Sequence, residues 1–153
     1  MKRTDEEVIL RPARPEDYTT AVALLESARL PVAGVAEWFT RFIVAEDDGR
    51  IVGVAGLEVY GTDGLLRSVA VADAWRNRGL GGALTNEVLR AATRDGITAV
   101  YLLTQTAETF FPRYGFRRIT REEASHAVKA SLEFRELCPA SSAVMVRSLQ
   151  GAS

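Results

Sequence analysis

The order of hydrophobic patterns along the chain predicts an α/β (α+β) fold, a mixed sheet covered by helices. Three observations carry that expectation. RFIVAEDDGRIVGVAGLEVYG reads as two strands joined by Asp48-Gly49, a strong hairpin signal, so the early strands form a meander. Strand-helix-strand units follow in the second half, and such crossovers pair strands in parallel. Composition stays in one regime across 153 residues, 47% hydrophobic and 25% charged. A chain of that length builds one hydrophobic core and is short for two, so residues 1–153 are expected as a single domain.

Each element has a local cause. EVILR (7–11) has strand composition and is closed by Pro12 and Pro15. PEDYTTAVALLESARL places Pro15, Glu16 and Asp17 in a first helical turn, where acidic side chains suit the positive dipole end. Its stripe of Val22, Leu24, Leu25, Ala28 and Leu30 runs until Pro31. A short second helix is expected from Val35 to Phe39, with Trp38, Phe39 and Phe42 as core or dimer contacts. After the hairpin, Gly61 to Gly64 mark a turn before the strand LLRSVAV. LGGALTNEVLRAATRDG is an amphipathic helix stopped by Gly96, and ITAVYLLT is a strand by its β-branched and aromatic content. The tail reads as a short helix AETFFPRYG ending at Gly115, a strand FRRIT, a helix REEASHAVKASLEF and a last strand SAVMVRSL.

Several function classes recede at once. A net charge of −1 argues against nucleic acid bound through bulk electrostatics. No apolar run approaches the roughly 18 residues of a membrane span, and MKRTDEEV lacks the apolar core of a signal peptide, so a cytoplasmic protein with no membrane partner is expected. Cys138 is the single cysteine and His126 the single histidine, so neither an internal disulfide nor a zinc constellation is expected. Cys138 reads as a small buried residue and His126 as a solvated helix residue.

The most informative stretch is AWRNRGLGGAL (74–84). A helix beginning just after Gly79 leaves its first backbone N–H groups without carbonyl partners at the positive end of the dipole. Gly79, Gly81 and Gly82 let an anion approach the backbone, while Arg76 and Arg78 add charge. A plain glycine turn with two solvated arginines accounts for the same residues. A P-loop needs Lys-Ser/Thr after its last glycine, and a dinucleotide fingerprint needs a third glycine; neither pattern is present.

The stretch LLRSVAVADAWRNRGLGGAL resembles the signature of the GNAT superfamily of N-acetyltransferases, Arg/Gln-x-x-Gly-x-Gly/Ala between a strand and a helix, with Arg76, Gly79 and Gly81 in the motif positions. AETFFPRYGF is similar to that family's later helix-turn through Ala107, Phe110, Phe111, Gly115 and Phe116. GRIVGVAGLEVYG, YLLTQTAETFF and SLEFRELCPASSAVM further resemble the arsenic-resistance branch of the superfamily. The LRSVAV strand is also similar to the acetyltransferase domain of N-acetylglutamate synthase. The resemblance implies a GNAT-like, mostly antiparallel sheet flanked by helices, acetyl-CoA as co-substrate with no metal, a small amino-acid-like amine as acceptor, and a possible homodimer. Backbone at Val69, Ala70 and Val71 would run beside the pantetheine arm. Arg76, Asn77, Arg78, Gly79, Leu80, Gly81 and Gly82 would take the pyrophosphate.

The chain departs from the family where an Asn and a Tyr often stand: Thr104 and Phe111 occupy those places, both expected against the cofactor. Tyr114 is then the candidate donor to the leaving thiolate. Glu58 is the candidate base, because a charged side chain is out of character in IVGVAGLEVYG unless the strand has emerged into solvent or a cleft. Arg67 offers a planar fork for a substrate carboxylate, with Ser68, Thr104, Thr106 and Arg135 as companions. Ala140 stands where the glutamate-acetylating domain carries an arginine. Two other readings stay open: a coenzyme-sensing module without turnover, and acetylation of a protein or peptide amine.

Overall fold

The computed structural model describes residues 8–132, 134–135 and 139–149. Cys138, and Glu7 at the expected start of the first strand, lie outside the described residues. Seven strands pair in one sheet, β1 (Ile9–Pro12), β2 (Ile43–Asp47), β3 (Arg50–Tyr60), β4 (Asp63–Val71), β5 (Ala99–Thr104), β6 (Arg117–Ile119) and β7 (Ala143–Ser148), in the order β1-β2-β3-β4-β5-β7-β6. Among the described residues the α-helices are α1 (Tyr18–Ser27), α2 (Val35–Trp38), α3 (Leu80–Arg94) and α4 (His126–Lys129). β4 and β5 run parallel, from Asp63 opposite Ala99 to Leu65 opposite Tyr101. The β1–β2, β2–β3, β5–β7 and β6–β7 pairs are antiparallel. The chain gathers into two compact units, one of residues up to Leu57 with Ser68–Val88, the other of Glu58–Arg67 with the residues from Leu89 onward.

In the first unit, the Asp48-Gly49 turn forms as the sequence predicts. Both residues adopt the left-handed region, φ 50° and 80°, which gives the twist that a two-residue hairpin requires. The core gathers Ala21 and Leu25 of α1 with Val35, Phe39, Phe42, Val44 and Val54. Trp38 packs against that cluster from a half-buried position, so the expected aromatic trio is core. Phe42 has its ring directly over Gly56, where a Cβ would stand 2.2 Å from Cε1. β3 carries a register shift opposite Ala45 and Glu46, and Val52, passed over in that pairing, accepts the Ala72 N–H at 2.8 Å.

Helix α1 stops earlier than its apolar stripe. Pro15–Asp17 form a separate 3-10 turn, and the helix closes at Ser27 because Arg29 turns left-handed, φ 60°, and the Leu30 N–H returns to the Leu25 carbonyl at 2.9 Å. Pro31 is therefore not the stop. The entry to this helix is fixed by charge: Arg11 grips Asp17 through two bonds of 2.8 and 3.0 Å and reaches Glu46 at 2.8 Å, while Asp17 also accepts the Arg14 N–H at 2.7 Å.

In the second unit, Leu65 of β4 packs with Ile119, Ala124, Val128, Phe134, Val144 and Val146. The long helix expected over REEASHAVKASLEF does not form as one. Thr120 and Glu123 cap a 3-10 turn over Arg121–Glu123, Ala124 and Ser125 are extended, and the Ser125 hydroxyl accepts the Val128 N–H to restart the chain as the single-turn α4. Ser and Thr side chains compete with the helical ladder for backbone groups, and here they win. AETFFPRYG likewise closes as a 3-10 turn, Phe111–Tyr114, ended by Gly115 at φ 88°.

The Arg11 hydrogen bonds, followed by the Arg14 backbone bond, hold the Asp17 carboxyl below its ordinary range against the opposing effect of burial. A carboxyl depressed by folding stabilises the native state above its unfolded pKa of about 3.9, and that contribution disappears as pH falls through the native value. Asp17→Asn is expected to cost about 2 kcal/mol at pH 7. Urea titrations of both proteins at pH 7, 5 and 3 should show the gap unchanged between the first two and reduced at the third.

Candidate functional site

In the first unit the site is a corner between β4 and α3. Gly53 of β3 has no side chain, and a Cβ there would meet Leu84 Cδ1 at 2.9 Å and Leu80 Cδ2 at 3.4 Å. The first two turns of α3 thus seat their leucines directly on the strand. Ahead of the helix, Asn77 and Gly79 take left-handed backbone at φ 64° and 81°, a conformation that asparagine and glycine tolerate best. This reversal aims the start of α3 outward. Its first intrahelical bond is Ala83 N–H to Gly79 O at 3.0 Å, so the N–H groups of Leu80, Gly81 and Gly82 precede the ladder and have no carbonyl within the helix. Gly79 is exposed and Gly81 half-buried, while Leu80 and Gly82 are buried.

Positive charge sits beside it. Arg76 Nε reaches the Val71 carbonyl at 3.4 Å and its NH2 lies 3.3 Å from Asp73, while the guanidinium of Arg78 lies over the ring of Trp75, 4.8 Å from its centroid. Three donors, a dipole end and two arginines make a seat for a compact multivalent anion. Thr85, fully buried one turn later, satisfies its hydroxyl on the Gly81 carbonyl at 2.9 Å and so adds no competing donor to the corner.

In the second unit the central feature is a buried ion pair. Glu58 is only 2% exposed and Arg67 3%, and Arg67 NH1 donates to Glu58 Oε2 at 2.7 Å. The Tyr60 hydroxyl donates to the other carboxylate oxygen of Glu58. This corrects the expectation that Glu58 emerges into solvent or an open cleft: it is an interior carboxylate whose two oxygens each hold a donor. Arg67 likewise is committed in part to Glu58 rather than free to offer its whole fork. Tyr60 was not singled out by sequence reasoning, although residues two apart on a strand share a face and the pair Glu58-x-Tyr60 carries that signal. Next to Arg67, Ser68 adopts φ 62° within β4, and both residues are buried.

The remaining expected residues stand as follows. Val69 and Val71 are half-buried and Ala70 is buried along β4. Thr104 Oγ1 accepts the Ala107 N–H at 2.9 Å and holds the loop after β5. Phe111 is core, edge-on to Phe110 at 5.0 Å and to Phe116 at 5.7 Å. Tyr114 is half-buried with its ring 5.1 Å from that of Phe110, and its carbonyl accepts from Arg147 at 2.7 Å. Arg135, Thr106 and His126 are exposed. Ser142, which the sequence did not mark, is buried, and its Oγ is the one buried side-chain polar atom without a partner among the described residues. Among those residues no group of three or more His, Cys, Asp or Glu is arranged to hold a metal, and no helix is long and apolar enough to cross a membrane.

Comparison with known proteins bears on the same segments. Residues 38–118 match the family model described as an acetyltransferase (GNAT) domain. The uncharacterized protein YwlB of Bacillus subtilis is 30% identical over 146 residues, 93% of this chain and 97% of that protein. An amino-acid acetyltransferase of Mycobacterium tuberculosis is 34% identical over 91 residues, 59% of this chain and 49% of that protein. N-acetylglutamate synthase of Neisseria gonorrhoeae, solved with coenzyme A and N-acetyl-glutamate, superposes with a TM-score of 0.80 at 22% identity, over 93% of this chain and 35% of that one. The chain thus spans half or less of the length of the two named enzymes.

Removing one partner of the Glu58–Arg67 pair strands a buried charge, a defect that typically costs about 3–5 kcal/mol. Glu58→Gln and Arg67→Met are each expected in that range by chemical denaturation. The double variant should cost clearly less than their sum, because neither charge is then left alone.

Proposed function

As the chain belongs to the GNAT acetyltransferase domain family, we propose that it transfers the acetyl group of acetyl-CoA directly to the amine of a small amino-acid-like compound. The observation that carries the cofactor half is the corner at the start of α3. The N–H groups ahead of its helical ladder and the two arginines preceding Gly79 suit a diphosphate, which coenzyme A supplies between its adenosine and its pantetheine arm. The neighbouring β4 backbone at Val69 to Val71 would run beside that arm.

The acceptor half rests on the buried pair. A carboxylate beside a guanidinium is the charge complement of an amino acid; both groups are interior, so the acceptor would have to open a way in, its ammonium meeting Glu58 beside the Tyr60 hydroxyl and its carboxylate meeting Arg67. In a desolvated site such contacts count for more than in water. The ammonium passes its proton to Glu58, a step that such groups accelerate by about 10²–10⁴. The freed nitrogen attacks the thioester carbon, the C–N bond forms, the C–S bond breaks, and the second proton of the nitrogen passes to the departing coenzyme sulfur, directly or through water. A thiol of pKa about 8.5 leaves as thiolate or takes a proton from water, so Tyr114 is a useful donor rather than a required one. The likeness to an amino-acid acetyltransferase supports this acceptor class. Within it, the resemblance to the arsenic-resistance branch favours an arsenic-containing glutamate analogue, since Ala140 departs from the glutamate-acetylating pattern.

Isothermal titration should show coenzyme A and acetyl-CoA binding to the wild type, and Gly81→Glu, which puts bulk and negative charge on the diphosphate seat, should weaken both at least tenfold. Absence of binding up to millimolar coenzyme removes the proposal. Thiol release with a panel of amino acids and their arsenical analogues tests the acceptor. Glu58→Gln should lower kcat by about a hundredfold or more, and Tyr114→Phe by less than tenfold. Binding without turnover on any amine would replace the enzyme with a coenzyme-sensing module.

A further inference from the structure

The interior carboxylate of Glu58 is held by two different kinds of donor. Arg67 NH1 donates to Oε2 at 2.7 Å, and the Tyr60 hydroxyl donates to Oε1. Rotation of the carboxylate is thereby stopped, and its two oxygens become unlike. Oε2 carries a charge-assisted bond to a permanent cation, whereas Oε1 faces a neutral phenol and is the more basic of the two. The ring of Tyr60 packs against the cluster of Leu65, Ile119, Val128 and Phe134, which keeps its hydroxyl at Glu58. Burial falls off along this end of β3: Glu58 is interior, Tyr60, two residues on and on the same face, is half-buried, and Gly61 is exposed. Tyr60 therefore stands between the buried acid and the surface.

Resting on the reading that Glu58 takes a proton from the acceptor ammonium, we propose that Tyr60 is the positioning residue that draws this proton off the amine and lets it leave the protein. A carboxyl that has just been protonated at Oε1 still points its hydrogen at the nitrogen, whose lone pair must be clear before it can attack. The hydrogen needs another acceptor to turn to. Arg67 cannot serve, because a guanidinium has donors only, whereas a phenol oxygen both donates and accepts. When Glu58 is protonated, the Tyr60 hydroxyl turns about its C–O bond, its oxygen accepts the new Oε1–H, and its own hydrogen points away from the carboxyl. No heavy atom has to move. To reset the base, Glu58 gives its proton to the Tyr60 oxygen as Tyr60 gives its hydrogen to water, so the phenol stays neutral throughout. One proton of the ammonium thus reaches solvent in each turnover, and the other goes to the coenzyme sulfur.

Tyr60→Phe removes the hydroxyl and keeps the packed ring. It should lower kcat about tenfold or more with the acceptor KM little changed. Proton departure then limits turnover, so the variant should show a larger solvent deuterium isotope effect on kcat than the wild type, which a merely structural role would not produce. Site-specific 3-fluorotyrosine at position 60 is a second arm: it keeps ring and hydroxyl but makes the oxygen a poorer acceptor, and should lower kcat by less than Tyr60→Phe does. Wild-type kcat in Tyr60→Phe overturns the inference, as does a lower kcat without the larger isotope effect. Should Tyr60→Phe fail to fold, wild-type kcat in the fluorotyrosine protein overturns it instead. Glu58→Gln separates the readings. If it loses turnover while Tyr60→Phe keeps it, this inference falls alone and the acetyltransferase reading stands. If Glu58→Gln keeps turnover, the base assignment and this inference fall together, and a wild type that acetylates no amine takes both down with the enzyme reading.

Discussion

The functional half of the first unit depends on how closely α3 approaches the sheet. Gly53 removes the side chain that would hold Leu80 and Leu84 away from β3, and the helix start is fixed by that contact. Fixing it matters because the N–H groups of Leu80, Gly81 and Gly82 act through direction as well as presence: their dipoles add only while the first turn is held in one orientation. The two left-handed residues ahead of the helix set where that end points, and the Val52 carbonyl, by accepting the Ala72 N–H, ties the segment leading into the corner back to β3. An anion site made from backbone is thus a product of packing, and its selectivity is inherited from a leucine–glycine contact that carries no charge.

Much of this was legible from residue patterns because the relevant signals are local. Asp48-Gly49, the glycine run from 79 to 82, and Gly96 and Gly115 at element ends each impose a backbone geometry on their own few residues, and each stands where that geometry was expected. The failures share a different cause. REEASHAVKASLEF has a helical apolar rhythm, yet capping by Thr120 and Ser125 breaks it, a competition that periodicity does not register. Helix α1 ends at Ser27 through the left-handed turn of Arg29, a residue type that does not advertise one.

The candidate site was legible unevenly for the same reason. Its glycine corner is a contiguous motif. Its ion pair links residues nine apart across a hairpin, and the interior position of Glu58 was read as an emergence into solvent or a cleft because a lone carboxylate in an apolar strand is costly. The missing information was the partner. Arg67 stood out for the same out-of-character charge, and two such anomalies on adjacent strands point to each other as partners. Tyr60 completes the arrangement from the same strand as Glu58. What the sequence could not show of Phe111 and Thr104 is the ring packing of the one and the loop contact of the other.

The ring of Phe42 and the bare backbone of Gly56 fill one shared space, and the ring is wholly enclosed, with nowhere to retreat. Neither residue is then free to drift alone. A descendant that acquires any β-carbon at position 56 must shed aromatic bulk at 42, and the reverse exchange opens a hole, so the two sites should pass through evolution as a linked pair whose joint volume is conserved while their identities trade places.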